Sequence, residues 1–98
     1  MTALDAELRA RFRETAAVRL DEMQRLLEAP DARAVEQLAR HFHALAGLGG
    51  TYGYPQVSEL ADRGEASAMP LMRANALPNE EQVSEWRALV VAMRDAIE

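Results

Sequence analysis

The sequence predicts an all-α fold, an antiparallel up-and-down bundle of four helices. Three observations carry that expectation. Apolar residues recur at three-and-four spacing in four separate blocks. Pro, Gly, Asn and Asp punctuate the chain between the blocks. Nowhere do β-branched or aromatic residues alternate in the manner of a strand. Amphipathic helices joined by short connections bury their stripes by packing side by side, each antiparallel to the next.

The first helix is expected from about Leu4 to Glu28, with Leu8, Phe12, Ala16, Leu20, Met23 and Leu27 on one stripe. Pro30 cannot continue the hydrogen-bond ladder, and Asp31 is suited to cap the second helix. That helix runs from about Ala32 to Thr51 and turns Val35, Leu38, Phe42, Leu45 and Tyr52 inward. The Gly49–Pro55 stretch then turns the chain, and Pro55 fits a first helical turn. Val57, Leu60 and Ala61 form the inner side of the third helix, which is expected to weaken near Gly64 and to stop or kink at Pro70. Pro78 closes the irregular stretch that follows. Asn79 and Gln82 have the spacing of a capping box and open the last helix. Its stripe of Val83, Trp86, Leu89, Val90, Met93 and Ile97 is the most regular in the chain.

With 98 residues, the chain has room for one domain, expected over 1–98, with one core. There is no cysteine, which excludes disulfides, thiolate metal sites and thiol nucleophiles. No apolar run approaches the roughly 20 residues that span a bilayer. Met1 to Arg13 lacks the continuous apolar stretch of a signal peptide, so a cytoplasmic protein without membrane contact is expected. The net charge is −5 and every basic residue is Arg. An acidic domain gains nothing from releasing phosphate counterions, so nucleic acid is a poor partner. No second apolar stripe stands out, and a monomer is expected.

Only two histidines are present, in His41-Phe42-His43. Positions two apart on a helix point about 160° from each other, so the pair cannot chelate one metal ion. No metal site is expected. His41 lies about 60° from the centre of the apolar stripe and His43 about 140° from it. His41 is therefore the candidate for a packed, hydrogen-bonded structural histidine, and His43 for an exposed one.

The neighbours of His43 on its face are Ala39, Arg40, Ala46, Gly47 and Gly50. An exposed helix face normally carries long polar side chains, and Gly inside a helix costs about 1 kcal/mol relative to Ala. Small residues around one imidazole leave room for a bulky partner to reach it. Gly49 points nearer the core and suits close helix packing instead.

The run His43-Ala44-Leu45-Ala46-Gly47, followed by Gly53, Val57, Leu60-Ala61 and Glu65, resembles the histidine-phosphotransfer (HPt) family. The family pattern has an apolar residue two after the histidine, Gly four after it, and a Leu-rich following helix that ends near Glu. Two positions depart from it. Ala46 stands where the family usually has Lys or Arg, and Gly64 where it usually has a large apolar residue. Arg40, one turn before His43 on the same face, is the candidate to supply the missing charge to phosphate oxygens. Gly64 predicts a loosely packed third helix.

The resemblance implies a phosphocarrier, not an autonomous enzyme. His43 would accept a phosphoryl group through Nε2 from a receiver-domain aspartate or from a histidine kinase, and pass it on. Phosphoryl transfer needs alignment and charge neutralisation more than protein acid–base chemistry. The chain has no P-loop and no evident metal-binding carboxylate cluster, so no cofactor is expected on it. The resemblance places Mg²⁺ on the partner, a response-regulator receiver domain. A second reading is an HPt-like adaptor that binds a receiver or kinase domain without accepting phosphate.

Overall fold

The computed structural model describes residues 3–98, with side chains from residue 5; Met1 and Thr2, within the expected N-terminal reading, lie outside the described residues. Four helices follow one another: α1 (Ala3–Leu26), α2 (Ala32–Thr51), α3 (Pro55–Ala74) and α4 (Glu80–Ile97). No described residue is in a strand. No helix of the described residues is long and apolar enough to cross a membrane.

Side-chain contacts fix the direction of each helix against its neighbours. Phe12 stacks on Tyr54 with ring centroids 4.8 Å apart, while Arg19, further along α1, reaches back to His41 at 3.1 Å. Ser58 bonds the Ala46 carbonyl at 2.7 Å, and Glu65 meets His43 earlier in α2. The start of α3 at Gln56 and Leu60 shares a groove with the end of α4 at Ala92 and Ala96. Arg87 donates to the Leu27 carbonyl and Arg94 to Asp21, which closes α4 against α1. All four adjacent pairs run antiparallel, as an up-and-down bundle requires.

The predicted stripes meet in one core. Phe12, Ala16, Leu20, Met23 and Leu27 from the first stripe pack with Val35, Leu38, Phe42 and Leu45, and with Trp86, Leu89, Val90, Met93 and Ile97. Trp86 is fully buried, and its indole N–H donates to Ser67 Oγ at 3.0 Å, so no polar atom of that ring is stranded. Leu8 departs from its stripe and is 36% exposed. The reason is length: α2 ends opposite Phe12, so Leu8 projects beyond the hairpin that would have covered it.

The ends behave as the residues dictate. The Asp31 side chain accepts from the Ala34 amide at 2.8 Å, and Asn79 and Gln82 bond reciprocally at 2.8 and 2.9 Å. Asp31→Ala should lower stability by about 1 kcal/mol in urea denaturation, since it strands a first-turn amide. The α2–α3 hairpin turns at Gly53, whose φ of +82° only glycine adopts without strain. At Gly49, a Cβ would come within 3.0 Å of the Ser58 backbone nitrogen, so the close packing expected there is present.

Pro70 does not stop α3, one of the two outcomes expected of it; the helix continues to Ala74. The carbonyl that loses its donor belongs to Ala66, an exposed residue, so water can take the place of the missing bond. The helix closes instead on Asn75 in the left-handed conformation, with Ala76 N–H to Leu71 O at 2.9 Å, a Schellman arrangement. The first helix is also shorter than expected, ending at Leu26, with Leu27 buried in the turn beyond it.

Candidate functional site

Contrary to the expectation from the sequence, Gly64 does not loosen the third helix; it is a point of close packing between α2 and α3. Gly64 is buried, and a Cβ there would overlap the ring of Phe42. Phe42 is itself fully buried and meets Trp86 edge-on at 6.5 Å. The ring thus fills the space that a larger residue at 64 would occupy, and the two helices close over it.

That contact positions the next pair of residues. His43 and Glu65 follow Phe42 and Gly64, one on each helix, and emerge together at the edge of the seam. His43 Nδ1 lies 2.6 Å from Glu65 Oε2. The His43 side chain is 77% exposed, while that of Glu65 is 24% exposed. A carboxylate accepts only from a protonated ring nitrogen, so Nδ1 carries the hydrogen, and in the neutral imidazole Nε2 keeps its lone pair. The half-buried acid holds the ring's orientation and tautomer, and leaves Nε2 for approach from outside.

The exposed positions of α2 recur as Arg33, Glu36, Arg40, His43, Gly47 and Gly50. Gly47 is open, and a side chain there would meet nothing within 4 Å, so internal packing does not call for glycine at that position. At Gly50, a Cβ would make only ordinary contact with Ser58 Oγ at 3.6 Å. Arg40 is exposed and donates to Glu36 Oε1 at 2.7 Å.

Two residues expected to be exposed on this face are covered, although Ala39 still lines the groove beside His43. Ala39 is 1% exposed and belongs to the core, and Ala46 is half-buried with its carbonyl bonded by Ser58. The correction has one cause. Helix α2 is flanked by α1 on one side and by α3 on the other, so its covered arc is wider than its apolar stripe. The free arc narrows to the row through Arg40, His43 and Gly47. Beside that row lies a groove of about 510 Å³, in which Met69 and Met72 of α3 face His43, Arg40 and Glu65.

His41 sits on the opposite flank, half-buried against α1. Arg19 Nη1 donates to its Nδ1 at 3.1 Å, which requires that nitrogen to be unprotonated. Burial lowers its pKa from the usual 6.5, and the Arg19 charge lowers it further, against an opposing pull from Glu22. The unfolded chain therefore takes up this proton at a higher pH than the folded one. The stabilisation is complete above about pH 6.5 and declines as pH falls toward the lower folded value. Thermal melts between pH 7.5 and 5 should fall more steeply for the wild type than for His41→Gln.

Sequence reasoning did not single out Glu65 as the partner of His43. The signal was available in the hairpin, because the two residues are equally distant along the chain from Tyr54. Residues at equal distances from an antiparallel turn face each other. The Hpt domain family model matches residues 7–97 of the chain, which takes in parts or all of each of the four helices. No curated protein and no solved structure matches it.

Proposed function

We propose, from the premise that this chain belongs to the Hpt domain family, that it carries a phosphoryl group on Nε2 of His43. The family has a phosphotransfer role in two-component signalling, and its members are phosphocarriers and not enzymes in their own right. For this chain, the observation that supports the assignment is the Nδ1–Glu65 bond beside an otherwise exposed ring.

The chemistry follows from the ring's state. The Nε2 lone pair attacks the phosphorus of a receiver's aspartyl phosphate. The P–O bond breaks, and the aspartate leaves as a carboxylate. The imidazole retains its Nδ1 hydrogen and gains positive charge, which the Glu65 carboxylate offsets across 2.6 Å. The reverse reaction returns the phosphoryl group to another aspartate. The partner brings Mg²⁺ and the aligned pocket; this chain brings the nucleophile and the face around it. Arg40 joins the phosphoryl oxygens by leaving Glu36, an exposed helical pair worth only about 0.3–0.5 kcal/mol.

The test is transfer from a phosphorylated receiver domain, followed by the appearance of acid-labile phosphate on the chain. Glu65→Ala should slow transfer by about tenfold while leaving the unfolding midpoint nearly unchanged, because it frees the ring without opening the core. Glu65→Gln, which keeps an accepting oxygen, should retain most of the rate and alter its pH profile. Equal rates and pH profiles in all three proteins would remove Glu65 from the mechanism. An adaptor that binds receivers without accepting phosphate would show binding but no labelled chain.

A further inference from the structure

A second cluster of polar groups lies at the hairpin end of the bundle, more than two helical turns from His43. Arg13 Nη1 donates to the Tyr54 hydroxyl at 2.8 Å, and the Arg9 guanidinium lies over the Tyr54 ring, 4.8 Å from its centroid. Two like charges thus converge on one phenol. Arg25, Arg40, His43 and Arg94 form ion pairs elsewhere in the domain. Two guanidinium groups gathered on one phenol stand out in a chain of net charge −5.

The cluster is short of acceptors. Arg9 Nε is buried without a hydrogen-bond partner. Tyr54 is 8% exposed; its oxygen accepts from Arg13, but among the described residues its own proton meets no acceptor. Burial pushes the Tyr54 phenol up, yet hydrogen bonds and charge from Arg13 and Arg9 bring it below its ordinary value. The α3 helix begins beside them with no side-chain cap on Tyr54, which leaves the first-turn amides of Gln56 and Val57 without an acceptor within the helix. All these groups donate. Arg9, Arg13, Tyr54 and Gln56 border a cavity of about 490 Å³, which Gly53 and the acidic Glu98 also line, a size common among small-molecule sites.

We propose that this cavity is a binding site for a phosphate group, either as the free ion or as a small phosphomonoester, separate from the phosphoryl-accepting histidine. The donors approach from α1, from the phenol and from the start of α3, three directions that suit a tetrahedral oxyanion. A flat carboxylate would be satisfied by one guanidinium edge. Glu98 shares the mouth of the cavity without bonding either arginine, and an incoming dianion displaces it outward.

Amide and arginine Nε resonances of the labelled chain report the site directly during titration at constant ionic strength. Three probes are compared: inorganic phosphate, glycerol phosphate and acetate. Phosphate should give saturable shifts at Gln56, Val57, Arg9 and Arg13. Tighter binding of glycerol phosphate assigns the rest of the cavity to an organic group, and equal binding assigns the site to the free ion. Arg13→Gln, on an exposed position, should raise the half-saturation concentration at least about tenfold, and Tyr54→Phe should raise it while keeping the ring stacked on Phe12. Arg33→Gln, remote on α2, should leave it unchanged. Linear shifts without saturation, saturation that survives Arg13→Gln, or acetate binding as tightly as phosphate would each overturn the proposal.

Discussion

His43→Gln should abolish phosphoryl acceptance from a phosphorylated receiver domain, while His41→Gln leaves it within a small factor of the wild type. The asymmetry follows from what each ring nitrogen is doing. The Nδ1 of His43 is tied to Glu65, and the rest of the ring stands in solvent. At His41, Nδ1 accepts from Arg19 and the ring is half covered by α1, which leaves it less open to a partner than His43. Glutamine at 43 keeps the helix and presents an amide, which is not nucleophilic enough to form a phosphoramidate. Because His43 is exposed and has no place in the core, the variant should melt with the wild type. Transfer that persists in His43→Gln, or vanishes in His41→Gln with the fold intact, would move the site.

Gly64→Ala should be the most damaging single methyl group in the domain. Alanine is worth about 1 kcal/mol more than glycine inside a helix, so an unconstrained site would be stabilised. Here the methyl enters the volume of the Phe42 ring. That ring is fully buried against Trp86 and cannot withdraw. Overpacking of this kind costs about 1–3 kcal/mol, which for a domain of this length lowers the melting midpoint by roughly 4–24 °C. The same strain spreads α2 from α3 and lengthens the His43–Glu65 bond, so phosphoryl transfer should slow as well. Phe42→Leu in the Gly64→Ala background should recover part of the loss, and a double-mutant cycle in urea measures the coupling. A Gly64→Ala protein as stable as the wild type would show that the helices do not close on Phe42.

The bundle was legible in the sequence because its information is local. Stripes, caps and breakers each act within one helix, and Asp31, Asn79 and Gln82 perform the capping their types suggest. Placement of the two histidines also follows from rotation about one axis. What one helix does not encode is the register of its neighbours. Ala39 and Ala46 point outward on an isolated α2 but are covered once α3 lies alongside. Gly64 read alone is a weak spot in a helix; read against Phe42 it is a socket. Glu65 was visible as part of a family pattern, and its bond to His43 emerges only when the hairpin is folded about Tyr54. Pro70 leaves the helix unbroken for a simpler reason, since the carbonyl it leaves unpaired belongs to an exposed residue.

The central claim is that Nε2 of His43 bears the phosphoryl group. Heteronuclear NMR of the chain after reaction with a phosphorylated receiver tests it at the level of the atom. The predicted result is phosphorus coupling to the His43 ring through Nε2, with Nδ1–H still bonded to Glu65 and the His41 ring unchanged. Phosphorus on Nδ1 of His43, phosphorus on His41, or a bound but unmodified chain would contradict it.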